Sequence, residues 1–232
     1  MIDLVYPPAI LLGRGLFAGM GLRVRVRGAQ HLPRSGGAVL ASSHVSYLDF
    51  IFAEFAARPS GRLVRFMAKE SVFRHPVAGP IMRSMKHIPV DRQSGAASYS
   101  HAVEALIAGE VVGVFPEATM SRSFEPKAFK TGAVRMADQA GVPLIPMAVW
   151  GTQRLWCYDD RSTMAQRGLP VEIHLGEPVD ATGDPEEATA RLRQAVIELV
   201  DQARADYSED GTGQWWQPAS LGGTAPAPGP DD

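Results

Sequence analysis

Hydrophobic and polar positions along the chain follow two periods, and the switches between them mark the elements. Leu22–Gly28 ("LRVRVRG") alternates apolar and basic residues, so it reads as a strand with Arg23, Arg25 and Arg27 on one exposed face. Gly36–Ser43 ("GGAVLASS") is an unbroken apolar run after a glycine pair, the pattern of a strand buried on both faces. Tyr47–Arg58 carries Leu48, Ile51, Phe52 and Phe55 at helical spacing, and Pro59 closes it. Strand patterns recur at Leu63–Lys69, in the short "HIPVD", at Val111–Glu117 (halted by Pro116), in "VPLIPMAVWG" and in "VEIHLGEPV".

Helical patterns fall between these strands. "VAGPIMRSM" predicts a short helix, "AASYSHAVEALIAGE" a longer one with Gly109 as C-cap, and "TGAVRMADQAG" an amphipathic one closed by Gly141. The plainest is "DPEEATARLRQAVIELVDQARADY". It opens with an aspartate cap, proline at the first helical position and acidic residues in the first turn. Strands alternating with helices predict an α/β fold, a largely parallel mixed sheet flanked by helices.

The two ends depart from this pattern. Residues 1–22 are apolar almost throughout, with Arg14 the one cation and Pro7 and Pro8 near the start. The usable stretch, Ala9 to Leu22, is shorter than the roughly 20 apolar residues of a spanning helix. A charged leading region and a small-residue cleavage site are both lacking, which argues against a signal peptide. Two readings stand for this segment: an interfacial helix with Arg14 snorkelling, or a core helix with a buried apolar face. From Ser208 onward glycine, proline and small residues dominate, so residues 208–232 are expected to be a flexible tail, with Trp215 and Trp216 as candidates for docking.

Composition narrows the function classes. A net charge of −2 gives no overall basic field for nucleic acid. Cys157 is the single cysteine, so an intramolecular disulfide or a cysteine metal cluster is excluded, which suits a reducing compartment.

The candidate chemistry sits where β gives way to α. In "ASSHVSYLDF" His44 follows the buried strand, and Asp49 lies five positions on, in the first turn of the next helix. A sharp turn between them returns the carboxylate to an imidazole nitrogen. It would fix the tautomer and leave the other nitrogen free to take a proton. The sequence has no G-x-S-x-G elbow to supply a nucleophile, so the attacking hydroxyl is assigned to the substrate. Glu117 follows another strand, at a second position where open α/β sheets place ligands.

Three further segments, in order, make this pair part of a larger pattern. "KHIPVDR" gives Ile88 and Arg92; "FPEATMS" gives Phe115, Pro116, Glu117, Thr119 and Ser121; and "VPLIP" spans Val142 to Pro146, with "FKTGA" (Phe129 to Ala133) as an additional match between the last two. Together with His44 and Asp49 they resemble the glycerolipid acyltransferases, the 1-acylglycerol-3-phosphate acyltransferase family. The resemblance covers about Val39 to Gly151 and departs at three places. Lys86 and Ala118 stand where the family has glycine, and Met120 where it has arginine.

The resemblance implies His44 and Asp49 as catalytic residues, and Arg92, Glu117, Thr119, Lys130 and Arg122 as acceptor or phosphate ligands. It implies no metal and no cofactor. The co-substrate is acyl-CoA or acyl-carrier protein, whose acyl chain passes to the free hydroxyl of a lysophosphatidic acid-type acceptor. Another lysophospholipid, a glycolipid acceptor, or a non-catalytic lipid-binding role are the alternatives. The implied partners are the lipid acceptor, the thioester donor (acyl-carrier protein among them) and a membrane surface, with no nucleic acid. A membrane-resident acceptor favours the interfacial reading of residues 1–22, an apolar membrane-associating helical segment ahead of an acyltransferase domain over 23–207. The implied location is the cytoplasmic face of the cell membrane, peripheral or monotopic.

Overall fold

The apolar run after the glycine pair forms β2 (Ala38–Ser42), the strand around which the sheet is built. The structure, a computed structural model, describes residues 6–91 and 95–229. The other strands are β1 (Arg23–Arg27), β3 (Val64–Lys69), β4 (Ile88–Val90), β5 (Val111–Val114), β6 (Leu144–Trp150) and β7 (Pro170–Leu175). Their order is β1-β7-β6-β2-β5-β3-β4. From β6 to β4 each neighbouring pair is parallel. β7 is antiparallel to β6, and β1 runs parallel to β7. The sheet is thus mixed and largely parallel, as the alternation of patterns implies. The C-terminal ends of β2 and β5 lie side by side, and in such sheets that edge is where ligands collect.

Both faces of β2 are covered, which is why its sequence is apolar without a break. Ala38 and Leu40 pack into one cluster with α2 (Asp49–Ala57) and α1 (Tyr6–Gly19). Val39 and Ala41 face the other cluster, shared with α5 (Gly95–Ile107), α6 (Gly132–Ala140) and α7 (Pro185–Ala205). Two short helices, α3 (Glu70–Arg74) and α4 (Ala78–Ser84), bridge β3 to β4. The start of α7 is built as its sequence dictates: Asp184 accepts hydrogen bonds from the N–H groups of Glu186 and Glu187, each at 3.0 Å.

The apolar N-terminal segment corrects one expectation. α1 has 14 residues, and among the described residues no helix is long and apolar enough to cross a membrane. The helix is bounded by sequence: it starts beside the two prolines and stops before Gly21, which adopts φ 68°. Phe17, 3% exposed, stacks on Phe52 at 4.8 Å and meets Phe55 at 5.9 Å. The membrane-associating helical segment is therefore replaced by a helix whose aromatic side closes the core over α2. Leu11, Leu12 and Leu16 are exposed.

The C-terminal segment is packed where it is described. Trp216 is 3% exposed, lies edge-on to Tyr207 at 5.5 Å and has the Arg154 guanidinium 4.7 Å over its ring. Gln153 Nε2 donates to the Trp216 carbonyl at 3.2 Å. Here the glycines serve turns, Gly213 and Gly222 both lying in the left-handed region, and the tryptophan supplies the apolar surface that holds the segment down.

Candidate active site

β2 ends at Ser42, and the chain turns sharply over residues 43–48 before α2 begins at Asp49. Two buried polar side chains tie the turn. Ser46 Oγ accepts from the Leu48 N–H at 3.1 Å and donates to the Trp156 carbonyl at 2.7 Å. Asp49 is fully buried. Its Oδ2 accepts from the N–H groups of Val45 and Ser46, each at 2.8 Å, and pairs with His44 Nδ1 at 3.0 Å. A carboxylate facing two fixed N–H donors is acceptor-only at that oxygen, so the imidazole presents Nδ1–H to it. The lone pair of the ring then sits on Nε2.

His44 is held from two further sides. Its ring stacks on Phe115 with centroids 3.9 Å apart and planes 14° from parallel, while its side chain keeps 19% exposure. Its carbonyl accepts from the Ser121 N–H at 2.8 Å. Its own N–H donates to Glu117 Oε1 at 2.9 Å. The other Glu117 oxygen accepts from the Lys127 N–H at 3.2 Å. Glu117 is buried, and burial pushes its carboxyl up to about 8 against the lowering effect of those two N–H groups. The residue expected among the acceptor ligands thus spends both oxygens on main chain, joining the turn after β2 to the loop after β5.

Thr119 is half-buried, and its hydroxyl accepts a hydrogen bond from the Lys127 ammonium. Arg122 is exposed, with its guanidinium 5.1 Å over the ring of Tyr158. Lys130 is exposed, and its N–H donates to the Pro116 carbonyl at 2.9 Å. Arg92 lies outside the described residues. Met120, in place of the arginine, is 3% exposed among Val45, Phe124 and Trp150, so this side chain turns into the core. Lys86 and Ala118, in place of glycines, adopt φ 55° and 63°. Both therefore sit in the left-handed region that glycine adopts without strain.

Two residues at the site were not singled out from sequence. One is Lys127, three positions before Lys130 in "EPKAFK", where nothing distinguished one lysine from the other. The other is Thr152, whose hydroxyl donates to Asp49 Oδ1 at 2.6 Å across 103 positions of sequence. Such a long-range partner leaves no local pattern.

Comparison with known proteins identifies the family. The family model for acyltransferases matches residues 23–150. A 1-acyl-sn-glycerol-3-phosphate acyltransferase from Bacillus subtilis (strain 168) is 33% identical over 180 residues, covering 77% of this chain and 85% of that protein. The human 1-acyl-sn-glycerol-3-phosphate acyltransferase alpha is 30% identical over 194 residues, 80% of this chain and 66% of its own. In fold, the chain is similar to the crystal structure of the 1-acyl-sn-glycerophosphate (LPA) acyltransferase PlsC from Thermotoga maritima. The TM-score is 0.70 at 23% identity, over 86% of this chain and 80% of that one.

Proposed function

This chain belongs to the glycerolipid acyltransferase family, and from that membership we propose that His44 and Asp49 are its catalytic pair. The chain is an O-acyltransferase. It moves an acyl chain from a thioester donor to the free hydroxyl of a lysophosphatidic acid-type acceptor, a step of phospholipid synthesis. What supports the assignment of residues is the 3.0 Å contact between His44 Nδ1 and a fully buried Asp49 carboxylate at the C-terminal end of β2.

In this reading His44 Nε2 takes the proton of the acceptor hydroxyl as its oxygen bonds to the thioester carbonyl carbon. The carbonyl π pair moves onto oxygen, and Asp49 stabilises the imidazolium that has formed. Collapse of the tetrahedral intermediate breaks the C–S bond. The departing sulfur takes the proton back from Nε2, leaving a diacylated lipid and a free thiol. No acyl-enzyme is needed, because the nucleophile arrives with the substrate.

Arg92, Lys130 and Arg122 are the cations that hold the acceptor's phosphate in this reading, with Thr119 as a further acceptor ligand. Lys127 adds an ammonium next to Thr119. This set takes the place of the cation that Met120 withholds. Glu117 acts at one remove, by fixing the main chain of His44. The donor is acyl-CoA or acyl-carrier protein. An acceptor that resides in a bilayer supports membrane association, and a donor made in the cytoplasm supports peripheral contact from the cytoplasmic face.

An acceptor panel tests the reading. Purified protein is given palmitoyl-CoA with lysophosphatidic acid, lysophosphatidylcholine or a monoacyl glycolipid, and thiol release is followed. Preference for the phosphomonoester is expected. Faster turnover with either other acceptor would reassign the head group.

A further inference from the structure

Asp49 carries the arrangement at His44, so what holds Asp49 sets the aim of the imidazole. Its carboxylate is fully buried, and the two oxygens are served unequally. Oδ2 receives two main-chain N–H groups and the imidazole. Among the described residues, Oδ1 receives one donor, the hydroxyl of Thr152 at 2.6 Å. Thr152 is itself fully buried. A buried carboxylate oxygen without a donor keeps its full desolvation cost, and the group then rotates or relocates to recover a partner. Any rotation of this carboxylate moves the acceptor of His44 Nδ1–H.

The hydroxyl of Thr152 has no task in its own turn. Thr152–Arg154 forms a single 3-10 turn directly after β6. The turn is closed by main chain, with the Leu155 N–H reaching the Thr152 carbonyl at 2.9 Å, and by Gln153 Oε1, which accepts the Gly151 N–H at 2.8 Å. Gly151 adopts φ 99°, and a Cβ there would fall 2.4 Å from the Pro170 carbonyl oxygen. The turn is therefore set by Gly151, Gln153 and the docked Trp216 carbonyl, and it presents the Thr152 hydroxyl to Asp49 as a fixed donor.

Building on the assignment of His44 and Asp49, we infer that Thr152 is a positioning residue for acyl transfer, clamping the Asp49 carboxylate so that His44 Nδ1–H stays in register and Nε2 stays aimed at the acceptor hydroxyl. Its effect falls on the chemical step and not on substrate affinity.

The test uses the full chain with palmitoyl-CoA and lysophosphatidic acid. Thr152→Val keeps the shape and removes the hydroxyl. It is expected to lower kcat by about tenfold or more with KM within about twofold. Thr152→Ser restores the donor and is expected to stay within about threefold of the parent kcat. In an Asp49→Ala background, Thr152→Val is expected to cost nothing further, because the two act as a unit. If Thr152→Val alone does not fold, Thr152→Ala, which removes the same hydroxyl, takes its place as the single variant of the cycle. The inference is overturned by a valine variant with parental kcat, by a serine variant as slow as the valine one, or by full additivity with Asp49→Ala. His44→Ala, run in parallel, separates the two levels. If His44→Ala remains active, the assignment beneath the inference is what fails.

Discussion

The main-chain N–H of His44 donates to Oε1 of Glu117 at 2.9 Å, across 73 positions of sequence. The imidazole that faces Asp49 on one side is thus anchored through its backbone to the loop after β5. Glu117, expected among the acceptor ligands, has both oxygens on main-chain N–H groups, which makes it a brace between the two loops.

Glu117→Gln tests the brace. A glutamine offers one acceptor oxygen, so either His44 or Lys127 would meet an NH2 group with its own N–H. The variant is expected to lose about 1–3 kcal/mol of stability and to turn over more slowly. The pH dependence has a definite sign. The folded carboxyl is pushed up to about 8 from an ordinary 4.5. The native state therefore binds the extra proton between those values, and stability falls as pH rises. The contribution is fully present below about 4.5 and is lost as pH rises through about 8, a change on the order of a few kcal/mol. Urea unfolding of both proteins at several pH values should show the parent's advantage shrinking toward alkaline pH. An advantage constant with pH would contradict it.

His87 carries the opposite sign. It is buried, its Nδ1 accepts from the Phe66 N–H at 2.9 Å, and burial, with Arg65 adding to it, lowers its pKa to about 4. The native state then binds fewer protons than the unfolded chain. The contribution is present above about 6.5 and lost as pH falls through about 4, roughly 3 kcal/mol in all. Its ring resonances in NMR should stay those of neutral imidazole down to about pH 5. Titration near the ordinary histidine value would refute this environment.

Much of this was legible in sequence, and the limits have physical causes. The buried run of β2, the capped start of α7 and the pairing of His44 with Asp49 are local patterns, set by periodicity, capping and turn length. Thr152 and Lys127 are brought in by the fold, and their neighbours in sequence do not mark them. The N-terminal helix was misjudged because an apolar stretch reads alike whether Phe17 meets lipid or stacks on Phe52. In the Gly- and Pro-rich C-terminus, sequence marks Trp215 and Trp216 as docking candidates, but composition does not show the socket of Tyr207 and Arg154 that Trp216 fills.

Ala118→Gly should stabilise the protein. Ala118 is exposed at φ 63°, so the methyl contributes strain with little packing in return. Relief of left-handed strain, less the entropy glycine adds to the unfolded chain, leaves a gain of about 0.5–1 kcal/mol. A denaturation midpoint unchanged or lowered, at unchanged slope, would contradict the strain.

Trp216→Ala should cost about 3 kcal/mol or more, as removal of a large buried aromatic does. The same variant should lower kcat, because without the docked ring the Trp216 carbonyl is no longer held against Gln153 beside Thr152. Thermal melts with paired activity assays would check both. A parental melting temperature would mean that the segment after Ser208 contributes no packing.

The central claim is that the His44 imidazole, oriented by Asp49, takes the proton from the acceptor. It is tested most directly by thiol release from palmitoyl-CoA in the presence of lysophosphatidic acid, comparing the parent with His44→Ala, and with circular dichroism as the check on folding. A folded variant slower by about a thousandfold or more is the expected result. A folded variant with near-parental turnover would contradict it.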